Sequence, residues 1–158
     1  MVIRDGRGIV YASNASDADL LVSDASAKLH LLDGNDLGDK NVTITLNENG
    51  KALGHNVQVT DMELINGYLW VLSGGPETDD EIDEELLIVN ATTGNVLHRA
   101  SLSSLAVRKC TPIGSCLCTT RPRASAIAYD AENDEVWITG SYWPRMVSID
   151  LLDEGKQQ

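Results

Sequence analysis

At 158 residues and 42% hydrophobic content, the chain has the length and apolar fraction of one domain with a core, and it is neither disordered nor fibrous by composition. Its 12 Lys and Arg against 24 Asp and Glu give a formal net charge of −12, which argues against phosphate-tracking nucleic-acid binding and against docking on an anionic membrane. No apolar run approaches the roughly 20 residues of a membrane helix, and Met1 opens onto VIRDGRGIVYAS without the basic-then-apolar pattern of a signal peptide.

From Gly8 onward, short β-branched and aliphatic runs alternate with Gly, Asn, Asp and Pro clusters, and no long helical period appears. GIVYA from Gly8 leads through a turn to LLVSD, then to KLHLLD ending on Asp33, then to VTITL from Val42. The same order returns with DMELI from Asp61, LWVLSGG, ELLIVN ending on Asn90, and VLHRASL from Val96. A third round, AIAYD from Ala126, VWITG and RMVSID ending on Asp150, stops after its third strand. The acid or amide closing each third strand therefore recurs at spacings of about 57 and about 60 residues.

Repeated units of four antiparallel strands are the signature of propeller blades. The expected fold is all-β, an incomplete β-propeller with blades over 6–48, 57–106 and 123–152 and a Cys-containing loop at 107–122. Propellers close with about 4 to 8 blades. Three blades read as the C-terminal part of something larger, with open edges through which copies could self-associate.

The loops offer little chemistry. Cys110, Cys116 and Cys118 in KCTPIGSCLCTTR suit one local disulfide plus a leftover thiol, or inert thiols, and a metal would lack its fourth ligand there. The acidic stretch from Pro76 to Glu85 lacks the ligand spacing and turn glycine of a calcium loop and reads as a solvated hairpin loop. His30, His55 and His98 lie on different units without ligand spacing, so no metal site is expected. Sequons at Asn14, Asn41 and Asn90 suit a glycosylated secretory protein.

The line AIAYDAENDEVWITGSYWPRMVSIDL, Ala126 to Leu151, resembles the closing repeat of plant-type and bacterial glutaminyl-peptide cyclotransferases, which carry an N-G-I-A-Y-D strand followed by V-T-G-K-x-W-P. DLLVSDASAKLHLLDGNDL is similar to that family's L-x-x-S-D-G-S-x-x-L-x-x-L-D blade, and DMELINGYLWV to its N-E-L-E-x-x-x-G-x-V-W segment. LLIVNATTGNVLHRASLSSL matches I-x-R-I-D-P-x-T-G-K-V-x-x-x-I-D-L in spacing and apolar pattern. The resemblance implies a five-bladed ring of which about two N-terminal blades lie outside this sequence. It also implies a secretory or extracellular location, formation of pyroglutamate from an N-terminal Gln of a peptide or protein with release of ammonia, and no metal or organic cofactor.

That reaction needs a pocket for the Gln side chain, donors for the developing oxyanion, and a carboxyl group carrying protons from amine to leaving group. The family's shuttling glutamate, in a G-E-G stretch, aligns with nothing here. Its pocket tryptophan in E-G-W-G falls on Arg7, its N-E-L-E asparagine on Thr60, its second tryptophan on Gly74 and its T-G-K-x-W-P lysine on Ser141. Trp143, Pro144, the cation at Arg145 and Glu63 are kept. Losing one oxyanion donor typically costs ~100-fold or more in rate. The expectation is thus a family member with little cyclase activity, or a non-catalytic binding scaffold or truncated gene product. Asp61 and Glu63, two apart on one strand face, are the acid–base candidates, with a solvated or channel-facing edge as the plain alternative. Trp70 and Trp137, at equivalent second-strand sites, are expected in the core between blades.

Overall fold

Alternating apolar residues bounded by turn formers become strands, and the strands hydrogen-bond in chain order. The computed structural model describes residues 7–14, 17–54, 57–75, 84–105, 123–141, 143 and 145–150. The first sheet is β1 (Ile9–Asn14), β2 (Asp17–Ser23), β3 (Lys28–Asp33) and β4 (Asp39–Thr45); the second is β7 (Gln58–Ile65), β8 (Tyr68–Gly74), β9 (Glu85–Asn90) and β10 (Val96–Ser101). The third holds β11 (Arg123–Asp130), β12 (Glu135–Ser141) and β13 (Val147–Asp150). All pairings within these sheets are antiparallel. There is no helix among the described residues. The fold is an all-β, incomplete propeller, and β13 has no partner on its outer side among the described residues.

Each blade presents two faces because side chains alternate along a strand. Leu69 and Val71 of β8 join Val59, Met62, Leu87 and Val89 of their own blade and Val10, Leu21 and Leu29 of the first blade in one core. Leu72, on the other face of β8, joins Ile65 and Leu86 and meets Ala124, Ile127, Val136 and Ile138 of the third blade in a second core. Fully burying a side chain such as Leu69 or Leu87 contributes about 1.5–3 kcal/mol. These two seams, rather than any one sheet, hold the molecule together.

Trp70 packs against the second core, between blades. Trp137 does not behave as expected. Its neighbours Val136 and Ile138 fill the second core, so alternation turns Trp137 to the opposite face of the third blade, where it is half-buried and belongs to neither core. The equivalent site of each blade faces the next blade along the ring, and the described residues place none beyond the third.

Between the first two blades lies a small hairpin outside the strand repeat, β5 (Asn47–Glu48) and β6 (Lys51–Ala52), turned by Asn49 and Gly50, both at positive φ. It straps the first blade to the second. The Asn47 amide donates to the Gly94 carbonyl (2.8 Å), and Arg99 of β10 reaches Glu48 (3.1 Å) and Glu85 (3.0 Å). Gly94 is required here: its φ is 71°, and an added Cβ would fall under 3.0 Å from the Thr45 carbonyl oxygen.

His30 of β3 is buried with Nε2 on Asp24 Oδ2 (3.1 Å) and Nδ1 on the Thr43 hydroxyl (3.3 Å). Burial opposes charge on Asp24, but hydrogen bonds from Ser26 and His30 outweigh it and hold the carboxyl below its ordinary range. This chain ties the β2–β3 turn to β4. Replacing His30 by Leu strips both partners of their bond and is expected to lower stability by about 1–3 kcal/mol, read as a lower urea midpoint at unchanged slope.

Candidate active-site rim

The first strand of each blade is its innermost, and β7 packs beside β1 on one side and β11 on the other. Two contacts fix how they meet. Gly8, at φ 79°, lies so close to β7 that an added Cβ would stand 3.1 Å from the Asp61 Cα. Asp61 Oδ2 in turn accepts the backbone N–H of Ile127 in β11 at 2.9 Å. The three blades therefore converge on Asp61, a residue whose carboxylate is spent partly on a backbone bond to the neighbouring blade.

Glu63, two residues along, faces the same environment. Burial pushes its carboxyl above the ordinary glutamate range; an amide bond from Leu64 opposes that, and the negative charge of Asp61 adds to it. The pair thus consists of one anchored carboxylate and one carboxyl that holds its proton to higher pH.

The residues that the resemblance singles out lie on or next to β1, β7, β8 and β12. Arg7 precedes β1, its backbone carbonyl accepting the Ser23 hydroxyl and its amide donating to the Ser23 carbonyl (3.4 Å). Thr60 sits at a bulge where the β7–β8 register shifts between Val59 and Asp61, and its hydroxyl donates to the Leu72 carbonyl (3.1 Å). The β11–β12 pair shifts between Ala124 and Ala126 as well, so equivalent inner strands of two blades are kinked at the rim. Ser141 ends β12 opposite Arg123 and is exposed.

Trp143 follows, its amide donating to the Gly140 carbonyl (3.2 Å) and its ring packed on the second core. Its indole Nε1 is buried and has no hydrogen-bond partner among the described residues. Arg145 is exposed, and Pro144 lies outside the described residues.

Gly74 ends β8, and its φ, which is not positive, does not by itself call for glycine. The β8–β9 register, which pairs Ser73 with Glu85, continues so that Gly74 stands opposite Glu84, and a Cβ on Gly74 would lie 3.8 Å from Glu84 Cγ. Glu84 Oε2 accepts the Ala124 amide (2.8 Å) from the third blade. Burial pushes this carboxyl above its ordinary range, against the Ala124 bond and the nearby Arg123 guanidinium. Sequence reasoning missed Glu84, because within an acidic run nothing distinguishes the one carboxyl that is half-buried between blades.

No group of three or more His, Cys, Asp or Glu side chains among the described residues is placed to hold a metal ion. His55, the cysteines at 110, 116 and 118, and positions 76–83 of the acidic stretch lie outside the described residues.

The family model for glutamine cyclotransferases matches residues 4–151. The chain belongs to the glutamine cyclotransferase family. Its fold is similar to the crystal structure of Myxococcus xanthus glutaminyl cyclase, with a TM-score of 0.66 and 17% sequence identity. That alignment covers 94% of this cyclotransferase-family chain and 56% of the Myxococcus enzyme, so the chain spans little more than half of that enzyme's length. At this identity the likeness speaks for the fold. Comparison with curated protein sequences gives no significant match.

Proposed function

We propose that this chain forms a substrate-holding part of a glutaminyl cyclotransferase-type propeller, receiving peptide or protein N-termini that begin with Gln at the rim around Asp61. The observation that carries the reading, beside family membership, is the convergence of the three inner strands on Asp61, with Glu63 beside it as a carboxyl of raised proton affinity. In pyroglutamate formation the α-amine nitrogen bonds to the side-chain carboxamide carbon, the C–N bond to the leaving nitrogen breaks, and the amine proton ends on the departing ammonia. A carboxyl whose proton affinity burial has raised suits that transfer. In this chain Glu63 is the residue for the task, and Asp61 positions the neighbouring backbone.

The same rim argues for slow chemistry. Thr60 spends its hydroxyl on the Leu72 carbonyl, Gly74 has no side chain, and Ser141 offers no cation. Each missing oxyanion donor removes ~100-fold or more in rate. A non-catalytic scaffold that binds Gln N-termini is the second reading, favoured by the Thr60 bond. Incubation of the chain with a Gln-initiated peptide, followed by mass spectrometry for loss of ammonia, separates the two. Turnover above the spontaneous rate that falls in Glu63→Gln supports the cyclase, whereas binding without mass loss supports the scaffold. Absence of both binding and turnover would sink the proposal.

A further inference from the structure

The sequence holds two Asn-Gly pairs, Asn49–Gly50 and Asn66–Gly67, and each forms a hairpin turn whose residues are exposed and at positive φ. Such a pair carries its own chemistry. The glycine amide nitrogen attacks the asparagine Cγ, an approach that no glycine side chain obstructs. The bond from Cγ to the side-chain nitrogen breaks, ammonia departs with the amide proton, and a cyclic succinimide remains. Water then opens the ring at either carbonyl, leaving aspartate or isoaspartate. Attack requires the asparagine backbone to rotate out of the paired turn, so local opening of the hairpin governs the rate.

The two turns differ in what must open. Asn66 lies between Ile65 and Tyr68, which pair across β7 and β8, and Ile65 is 1% exposed within the second core. The Asn66 carboxamide also lies beside the Tyr129 hydroxyl of the third blade. Asn49, by contrast, closes strands of two residues each, and none of residues 47–52 enters either core. Its hairpin is held at the base by the Leu53 amide on the Leu46 carbonyl (2.9 Å), by the Asn47 bond to Gly94 and by the exposed Arg99–Glu48 pair.

We infer that Asn49 is a site of spontaneous deamidation in the folded protein, while Asn66, with the same dipeptide, is protected by the blades around it. Isoaspartate at position 49 adds a methylene to the main chain of the turn, which breaks the Glu48–Lys51 pairing and draws Glu48 away from Arg99. The strap between the first two blades then loosens as the protein ages. The ammonia released needs no peptide substrate, so it enters any ammonia-coupled cyclase assay as a background.

The test is incubation of the full chain at mildly alkaline pH, folded and in urea, with peptides spanning each turn followed by mass spectrometry and by chromatographic separation of the aspartyl and isoaspartyl forms. Dividing each folded rate by the rate of the same site in urea removes the influence of flanking residues. That quotient is expected to be about tenfold or more higher at Asn49 than at Asn66. Arg99→Ala, which releases Glu48, is expected to raise the Asn49 rate about two- to fivefold and to leave Asn66 unchanged. Equal quotients at the two turns, a higher one at Asn66, or an Asn49 rate indifferent to Arg99→Ala overturns the inference.

Discussion

Gly140→Ala is expected to be among the most damaging single-methyl changes in the molecule. An added Cβ would come under 3.0 Å from the Arg123 carbonyl oxygen and from Trp143 Nε1 and Cδ1. The backbone oxygen belongs to the strand paired with β12 and cannot yield without loosening the top of the β11–β12 ladder. The indole can yield only by leaving the second core. Overpacking of this kind typically costs about 1–3 kcal/mol. The expected signature is a lower urea midpoint with a red-shifted tryptophan emission, as Trp143 moves toward water. Ser141→Ala, one residue on and exposed, serves as the control and should stay within about 0.5 kcal/mol of the parent. An unchanged midpoint in Gly140→Ala would show that Trp143 does not pack against Gly140.

Asp61 offers the second large effect, and two substitutions divide its roles. Asp61→Ala leaves the Ile127 amide without its acceptor at the junction of two blades and should cost about 1–3 kcal/mol. Asp61→Asn keeps an oxygen acceptor for that amide and removes only the charge, so most of the stability should return. The charge is felt by Glu63. Because the folded-state pKa of Glu63 is raised, its protonation favours the folded state. That contribution is complete below the unfolded value and is lost as pH rises through the higher folded value.

Removing the Asp61 charge brings the folded value down, leaving burial, opposed by the Leu64 bond, as the remaining influence. Urea titrations between about pH 4.5 and about pH 7 should therefore show a flatter dependence in Asp61→Asn than in the parent. Equal slopes in the two proteins would mean that Asp61 and Glu63 do not sense each other.

The strand repeat was legible because burial on two faces leaves a period-of-two imprint. LLVSD, LWVLSGG and VWITG all became second strands, and the Asn66–Gly67 turn of the second blade follows from its residues alone, both at positive φ. Family membership was legible from the order of several motifs, none of them specific by itself. The β5–β6 strap was not. Its two-residue strands are too short and polar to alternate, and what holds them is a long-range match to Gly94 and Arg99. Thr60, Gly74, Ser141 and Trp143 were singled out only by their positions in the resemblance, whereas Glu84 was hidden, because its burial depends on Ala124 forty residues away. Trp137 occupies the position equivalent to Trp70, but on a face of the third blade against which the described residues place no further blade.

One consequence of the two seams concerns motion rather than shape. β8 sends Leu69 and Val71 into one core and Leu72 into the other, and it is hydrogen-bonded on both sides, by β7 and by β9. No partial opening can free its backbone without dismantling both seams at once. In deuterium exchange its amides should be among the slowest of the chain, opening with the free energy of global unfolding, while those of β4, β10 and β13 at the sheet margins should exchange through smaller local fluctuations. The central blade then acts as the cooperative unit, and the rim residues on its inner strand inherit its rigidity.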